Sequence, residues 1–295
     1  MTVKQKAAIV VESVAELRQA LARARKSNST SRTFRLGLVP TMGALHVGHE
    51  KLMEQARADC DFVVVSIFVN PLQFGPNEDF TKYPRTLADD TLACARQAVD
   101  LIFAPSVNEL YGNDRGDSTR VLPPEALTAR LCGLFRPGHF EAVATVVSKL
   151  FNIVQPDLSY FGQKDYQQLQ VIKRLAADLD FPIEIIAVPT VREVDGLALS
   201  SRNKYLDSEK RKQAPALYES LKRVCDKVFT SGLSIEKAIG EEKASLSKDG
   251  HFQVQYLEVC CSDTLEPLSK ASLPAVILVA AKLGEVRLID NLLVP

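Results

Sequence analysis

The segment PTMGALHVGH at residues 40–49 carries two histidines three positions apart. Residues at this spacing share one face of a helix, so His46 and His49 are expected side by side in a first helical turn. A helix N-terminus favours phosphate through its unpaired N–H groups and the positive end of its dipole. Gly43 and Gly48 would let a ligand approach the backbone closely. The segment therefore predicts a phosphate site in which two imidazoles stabilise developing negative charge.

The histidine pair has two other interpretations. Histidines at i and i+3 can bind a metal, but no third His or Cys lies nearby in the sequence and no HExxH pattern occurs, which disfavours zinc. A purely structural pair is the second alternative. The glycines of the segment, and its place between a predicted strand and a predicted helix, favour the functional interpretation.

Two further segments place polar residues after a predicted strand or before a predicted helix. Residues 66–85 contain a polar loop in which Gln73 could fix a carboxylate or a hydroxyl, although such a loop could also simply face solvent. Residues 131–139 place Arg136 beside a Pro-Gly turn. This arginine is interpreted either as a fixed guanidinium for an anion or as a surface arginine in a turn.

The last two segments combine a cation with small or acidic residues. In FGQKD, Gly162 permits close approach, Lys164 offers a point charge for phosphate, and Asp165 is a good helix N-cap. In LSSRN at residues 199–203, two serines precede Arg202. That pattern suits a loop that closes over phosphate, but alone it is also common in ordinary turns.

The elements that must position these residues alternate between strand and helix over the first two-thirds of the chain. Apolar β-branched runs predict strands at 34–39, 62–69, 101–104, 158–161 and 183–188. Helical spacing predicts an opening helix that ends in the polar tract 26–31, then helices at 47–59, 86–97, 140–154 and 165–179. This pattern predicts an α/β fold with a Rossmann-like, doubly wound parallel sheet, which binds ligands at the carboxyl ends of its strands.

The pattern changes after Val188. Charged helices are predicted at 208–230 and 234–248, followed by strands at 252–260, 275–283 and 285–292. Helices followed by an antiparallel set of strands indicate a smaller α+β domain at the C-terminus. The domain boundary is expected near residue 190, which divides the chain into 1–190 and 191–295.

The composition excludes several classes of protein. The 295 residues include 36 Lys and Arg against 36 Asp and Glu, so the formal net charge is zero and no nucleic-acid or membrane partner is expected. No apolar run approaches the roughly 18 residues of a transmembrane helix, and the N-terminal segment does not resemble a secretory signal. The six cysteines form no CxxC pair, which is typical of reduced thiols. A cytoplasmic protein is expected.

Together the five segments resemble the pantothenate synthetases, or pantoate–β-alanine ligases, of the HxGH nucleotidyltransferase superfamily. HxGH alone marks only the superfamily, which includes class I aminoacyl-tRNA synthetases. The resemblance runs from about residue 39 to 205 and more loosely to the C-terminus. Its motifs are PTMGALHVGH at 40–49, SIFVNPLQFG at 66–75, YPRT at 83–86, RPGHF at 136–140, FGQKDYQQL at 161–169 and LALSSRN at 197–203.

The resemblance implies a two-step ligation that belongs to the biosynthesis of coenzyme A. ATP and pantoate would form a pantoyl adenylate with release of pyrophosphate, and the amine of β-alanine would then displace AMP to give pantothenate. No protein nucleophile is needed, and no Ser/His/Asp or Cys/His pattern is evident. Mg²⁺ would rest chiefly on phosphate oxygens, with Asp89 and Asp90 as outer-shell partners and no residue assigned as a direct ligand. Relatives are usually homodimers, so a homodimer is expected.

The resemblance also assigns roles to individual residues. The residues implied to be catalytic are His46, His49, Lys164 and Arg202, with His49 as a proton donor. The ATP site would comprise Met42, Gly43, Ala44, Leu45, His46, Val47, Gly48, His49, Gly162, Gln163, Lys164, Asp165, Val191, Leu199, Ser200, Ser201 and Arg202. Gln73 and Gln168 would bind pantoate, and Gln73 would also lie near β-alanine. Residues 1–190 would then be the nucleotide- and pantoate-binding domain, and 191–295 a lid.

Three alternative functions remain open at this point. The first is another HxGH adenylyltransferase that acts on a cofactor precursor, which would share the histidine pair but need no amine acceptor. The second is a tRNA synthetase, although no anticodon-binding domain is evident and the charge is balanced. The third is a non-catalytic ATP-binding module, which would be expected to lack residues of the phosphate site.

Overall fold

The computed structural model describes residues 8–27, 34–76, 78–113, 118–248 and 251–295, which form two compact units. The first unit comprises Met1–Pro123, Arg136–Gln163 and Val171–Val188. The second comprises Pro124–Phe135, Lys164–Gln170 and Pro189–Pro295. Two short segments from the first two-thirds of the sequence thus belong to the second unit. The assignment of a nucleotide-binding domain and a lid stays a prediction.

The elements follow the predicted alternation. The strands are β1 (Ile9–Val11), β2 (Leu36–Thr41), β3 (Phe62–Ile67), β4 (Leu101–Phe103), β5 (Leu158–Gly162), β6 (Glu184–Val188), β7 (Phe252–Cys261), β8 (Ala275–Leu283) and β9 (Val286–Val294). The helices are α1 (Val14–Ser27), α2 (Val47–Asp59), α3 (Leu87–Arg96), α4 (Val107–Tyr111), α5 (Glu125–Thr128), α6 (Cys132–Phe135), α7 (His139–Val154), α8 (Tyr166–Asp178), α9 (Ser208–Gln213), α10 (Ala216–Cys225) and α11 (Ile235–Ser247).

The first unit contains a six-stranded parallel sheet in the order β1-β4-β3-β2-β5-β6. Its central strands are apolar on both faces, and Val63, Val64 and Val65 of β3 are fully buried. The predicted doubly wound α/β fold is confirmed. Strand order reverses between β2 and β5, and ligands bind at such a reversal, beyond the carboxyl ends of the strands. The segments that follow β2 and β5 are the histidine segment and FGQKD.

One local prediction was wrong and one strand was not predicted, whereas the opening helix ends in the polar tract as expected. Pro40 does not end β2, because Thr41 continues the pairing with β3: its hydroxyl donates to the carbonyl of Ser66 at 2.8 Å, and its own carbonyl accepts from Phe68 N–H at 3.0 Å. Strand β1 was not predicted, because three residues are too few for a periodic signal. Of the polar tract 26–31, helix α1 includes residues 26 and 27, and residues 28–31 lie outside the described residues.

The second unit contains the antiparallel sheet β7-β8-β9 and the helices α9, α10 and α11, so the predicted α+β character is confirmed. Strand β8 lies in the middle of this sheet, and Ala275, Ile277, Val279 and Ala281 are fully buried. The single helix predicted at 208–230 is interrupted, because Pro215 has no N–H to donate; α9 ends at Gln213 and α10 begins at Ala216. Within the described part of the chain, no helix is long and apolar enough to cross a membrane.

Candidate active site

The segment between β2 and α2 is shaped by hydrogen bonds to its two histidines. His46 is the N-cap of α2, with an extended backbone, and its Nδ1 accepts from Gly48 N–H at 3.1 Å. The Nδ1 of His49 accepts from His46 N–H at 3.3 Å. The two ring centroids lie 4.1 Å apart. His46 therefore precedes the first helical turn rather than lying in it, but the two rings are adjacent as expected.

These capping bonds determine which ring nitrogen carries the proton. Both Nδ1 atoms accept hydrogen bonds from N–H groups, so a neutral ring in this arrangement has its proton on Nε2. Each imidazole thus offers an N–H donor while its orientation is fixed by the helix cap. The pair lies at the N-terminus of α2, where the helix dipole favours an anion. The arrangement can stabilise negative charge that develops on a phosphate chain.

The loop before His46 is bound to a carboxylate that the sequence interpretation placed near Mg²⁺. The two oxygens of Asp90 accept from Ala44 N–H at 3.0 Å and from Leu45 N–H at 2.7 Å. Gly43 has a positive φ of 78°, and a Cβ there would lie 3.0 Å from Asp90 Oδ2 and 3.1 Å from Ile67 Cγ2. Glycine is therefore needed at 43 for the backbone conformation and for packing, before any ligand is considered.

Gln73 lies at the end of a short 3₁₀ turn, Pro71–Gln73, after β3. Its side-chain oxygen accepts from the amide of Asn70 at 3.1 Å. Asn70 is fully buried; its amide also donates to the carbonyl of Ala142 at 3.3 Å, and its oxygen accepts from the Tyr111 hydroxyl at 3.2 Å. Asn70 therefore orients the carboxamide of Gln73. The sequence interpretation did not single out Asn70, although an Asn directly before a Pro at the end of a predicted strand was a usable signal.

Arg136 is a fixed guanidinium, but the anion that it binds belongs to the protein. Its Nε and Nη2 donate to the two oxygens of Glu78 at 2.6 and 2.7 Å, and Nη2 also donates to the carbonyl of Gln73 at 3.1 Å. Nη1 lies 2.9 Å from His139 Nε2, and His139 Nδ1 lies 3.0 Å from the same Gln73 carbonyl. Arg136 only donates and a carbonyl only accepts, so His139 is the neutral tautomer with its proton on Nδ1. Both side chains thus hold the backbone of Gln73.

The ion pair between Arg136 and Glu78 predicts a pH-dependent stability. Burial by itself would raise the pKa of Glu78, but the hydrogen bonds and charge of Arg136 outweigh it, and the pKa is lowered. The pair therefore stabilises the fold above the ordinary glutamate pKa, and this contribution is lost as pH falls through the lowered value. We expect Arg136→Met to lose about 2 kcal/mol of unfolding free energy at pH 7, measured by urea titration, because Glu78 is left without its partner.

The matched control is Arg120→Met, which breaks a more exposed ion pair with Glu141. Exposed pairs contribute little, so this variant should lie within about 1 kcal/mol of the unsubstituted protein. The difference between Arg136→Met and the unsubstituted protein should shrink below about pH 4. A difference that does not vary with pH, or none at pH 7, would contradict the assigned role of the pair.

In the other compact unit, Lys164 is anchored through its backbone. It lies in the 3₁₀ turn Gln163–Asp165, and its carbonyl accepts from the Asn291 side-chain amide at 2.9 Å. Its ammonium lies 3.9 Å from Asp165, an ion pair in which the Asp165 side chain is half exposed. Asp165 is part of this turn, and α8 begins one residue later. Before the turn, a Cβ at Gly162 would meet no atom within 4 Å, so a ligand could approach the backbone there.

Two neighbouring glutamines at the start of α8 have different environments. Gln167 is buried; its oxygen accepts from Cys132 N–H at 2.8 Å, and its amide donates to the carbonyls of Leu127 and Arg130 at 2.8 and 2.9 Å. Gln168, the predicted pantoate residue, is only partly buried. Gln167 therefore has a structural role, which leaves Gln168 as the candidate for binding.

The segment that contains Val191 and Ser200–Arg202 folds back on itself. Leu199 N–H donates to the carbonyl of Val191 at 3.0 Å, and Ser200 Oγ accepts from Arg202 N–H at 3.2 Å to cap the 3₁₀ turn Ser201–Tyr205. Arg192, which the sequence interpretation missed, fastens this segment: it donates to both oxygens of Asp290 at 2.6 and 2.9 Å. The predicted phosphate loop is thus braced against β9.

The cysteines are unsuited to nucleophilic catalysis where they are buried. All six are free, as the sequence predicted. Burial raises the pKa of Cys94 and that of Cys260 to about 12, so both thiols stay protonated at neutral pH.

Comparisons with known proteins agree with these features. A sequence profile described as pantoate-beta-alanine ligase matches residues 9–293. A pantothenate synthetase of Pseudomonas fluorescens is 52% identical over 282 residues, which cover 96% of each chain. A pantothenate synthetase of Chromohalobacter salexigens is 50% identical over 97% of this chain and 98% of its own.

Solved structures of similar proteins carry the same family names. The crystal structure of pantothenate synthetase from Thermus thermophilus matches with a TM-score of 0.88 and 49% identity, over 96% of this chain and 98% of that one. A pantoate-beta-alanine ligase from Francisella tularensis, crystallised with beta-gamma ATP and beta-alanine, matches with a TM-score of 0.78 and 36% identity, over 97% and 98% of the two chains. The resemblance inferred from the motifs is confirmed, and the chain belongs to the pantoate-beta-alanine ligase family.

Proposed function

We propose that this chain catalyses the ATP-dependent condensation of pantoate with β-alanine to pantothenate, with release of AMP and pyrophosphate. The observation that carries the proposal is the fixed pair His46 and His49, which lies at the N-terminus of α2 where the strand order reverses. Membership of the pantoate-beta-alanine ligase family supplies the substrates.

In the first step a carboxylate oxygen of pantoate attacks the α-phosphorus of ATP. The new P–O bond forms while the bond to the β-phosphate oxygen breaks, and pyrophosphate leaves with the bond electrons. The Nε2–H donors of His46 and His49 stabilise the charge that develops on these phosphates. Lys164 and Arg202 are proposed to neutralise further phosphate charge, and Ser200 and Ser201 to donate hydrogen bonds to it.

In the second step the amine of β-alanine attacks the acyl carbon of the adenylate. The C–N bond forms, the C–O bond breaks so that AMP leaves with the bond electrons, and the amine nitrogen releases a proton to solvent. The protein has mainly to position the two reactants, which can supply a large share of the rate. Gln73 and Gln168 are proposed to hold pantoate. The Francisella enzyme, crystallised with β-alanine and an ATP compound, supports β-alanine and ATP as two of the three substrates.

Mg²⁺ is proposed to enter with ATP and to rest on its phosphate oxygens. No group of three His, Cys, Asp or Glu side chains among the described residues is arranged to hold a metal ion, and both oxygens of Asp90 accept loop amides. A cation that is held mainly by phosphate oxygens needs no such group of protein ligands. The metal would neutralise phosphate charge. We also propose a homodimer in the cytoplasm, by analogy with the family.

Isotope exchange between pyrophosphate and ATP tests the proposal. Exchange should require pantoate alone, because the adenylate forms before the amine enters, whereas net AMP release should require pantoate and β-alanine together. Exchange that depends on a different cofactor precursor, with none for pantoate, would overturn the assignment in favour of another HxGH adenylyltransferase. Binding of ATP without any exchange would identify a non-catalytic module.

A further inference from the structure

We propose that Asp90 is a positioning residue, which acts through the backbone of residues 44 and 45 to hold His46 and His49 in place. The anchoring of the loop by Asp90 is argued from geometry alone, whereas the expected effect on the reaction rate rests on the proposed ligase function. Asp90 lies in the first turn of α3 and is 2% exposed. The histidine segment lies far earlier in the chain, so the contact is a product of the fold.

Asp90 meets three donors from two segments. Its Oδ1 accepts from Leu45 N–H at 2.7 Å, and its Oδ2 accepts from Ala44 N–H at 3.0 Å and from the Thr86 hydroxyl at 3.3 Å. A buried carboxylate is costly unless hydrogen bonds satisfy it, and its place in the first helical turn adds the favourable end of the dipole. Hydrogen bonds to an ionised acceptor are about twice as strong as neutral ones. The charge of Asp90 is therefore stabilised by the loop that it holds.

The loop needs such an anchor because its backbone is unusual. Gly43 and Ala44 both have positive φ, 78° and 51°, and alanine rarely adopts that conformation. Two consecutive residues of this kind turn the N–H groups of Ala44 and Leu45 toward one acceptor. Without the acceptor, the strained backbone of Ala44 would have no compensating bond.

The effect reaches the imidazoles in one further step. Leu45 directly precedes His46, whose N–H donates to His49 Nδ1 and whose own ring caps α2. A shift of the loop amides would therefore move one ring and release the bond that orients the other. Misplacement of a catalytic group by about 1 Å can lower a rate about a hundredfold.

Asp90→Asn tests the anchor with little change in shape. The side-chain amide places an N–H donor opposite Ala44 or Leu45 N–H, where the carboxylate had an acceptor. We expect hydrogen exchange at these two amides, followed by NMR, to become about tenfold faster or more, as for the loss of one charged hydrogen bond. The control is Glu236→Gln, which removes an exposed first-turn carboxylate of α11 and should leave both amides unchanged.

Kinetics separate positioning from a general loss of structure. In Asp90→Asn, pantoate-dependent exchange of pyrophosphate should fall about a hundredfold, while calorimetry should show pantoate bound with unchanged stoichiometry and Kd. A merely structural role would instead reduce the stoichiometry of pantoate binding. Recovery of the rate at raised Mg²⁺ would assign Asp90 to the metal and overturn the proposal.

The proposal would also be overturned if Asp90→Asn left the amides of residues 44 and 45 as protected from hydrogen exchange as before. It would likewise be overturned if these amides lost protection while pyrophosphate exchange kept its normal rate. Should Asp90→Asn fail to fold, Thr86→Val is the second variant, because it removes only the hydroxyl donor to Asp90 Oδ2. The proposal then requires faster hydrogen exchange at the amide of Ala44. An unchanged hydrogen-exchange rate at this amide would refute the proposal. If the unsubstituted protein performs no pantoate-dependent exchange, the proposed function fails, and the hydrogen-exchange results still decide the role of Asp90.

Discussion

His49→Ala should lower pantoate-dependent exchange between ATP and pyrophosphate about a hundredfold or more, with the protein still folded. The estimate corresponds to about 3 kcal/mol for the loss of one preorganised donor at the site where charge develops. The same change also removes the acceptor for His46 N–H, so a loss of about 1 kcal/mol in stability is expected, as for other lost helix caps.

Two further substitutions at His49 separate these effects. Asparagine can place its oxygen near the position of Nδ1 and restore the cap, whereas glutamine can place an N–H near the position of Nε2 and restore the donor. We expect His49→Asn to recover stability but not rate, and His49→Gln to recover part of the rate. His251→Ala, a change at an exposed histidine, is the control and should be silent. A folded His49→Ala variant with a near-normal rate would show that His49 does not act on the phosphates.

Lys164→Ala is expected to lower kcat/KM for ATP about a hundredfold or more, because the substitution removes the point charge that is proposed to neutralise phosphate. The fold should survive, for two reasons. The anchor of this turn is the backbone carbonyl of Lys164, which the substitution retains in its bond to Asn291. The ion pair with Asp165 is long and partly exposed, so its loss costs little stability.

Lys173→Ala is the matched control, since it removes the charge of an exposed lysine on the following helix. Steady-state kinetics with varied ATP, and thermal unfolding of both variants, are the measurements. If Lys164→Ala lowered kcat/KM for ATP no more than Lys173→Ala does, Lys164 would not belong to the proposed phosphate site. If Lys164→Ala lowered the melting temperature as well as the rate, the residue would have a structural role instead.

The local elements were largely predictable, because their signals are local. The opening helix and α2 follow from hydrophobic periodicity, and α2 begins and ends at the predicted residues. Strand β3 follows from a run of apolar β-branched residues, which a strand buried on both faces requires. Errors occurred where pairing with a neighbour decided the boundary, as at Pro40, or where Pro215 interrupted a helix whose pattern continued.

The supporting side chains of the site were not predictable in the same way. The resemblance implied Asp90 as an outer-shell partner of Mg²⁺, and Arg136 was open to two interpretations, an anion-binding guanidinium or a surface arginine, because a sequence shows the charge of a residue but not its partner. In the structure Asp90 accepts the amides of the histidine loop and Arg136 pairs with Glu78. The difference between Gln167 and Gln168 is likewise a matter of which side chain is turned inward.

The sequence by itself determined the fold class and the family, and it singled out the residues that are proposed to bind phosphate, because periodicity and short motifs are written along the chain. Only the tertiary structure decided how those residues are oriented. The Nδ1 atoms of His46 and His49 are occupied by backbone donors, and the loop before them is held by a carboxylate from a distant part of the chain. Hydrogen bonds between distant segments depend on distances that only packing fixes, so no local pattern could have shown them.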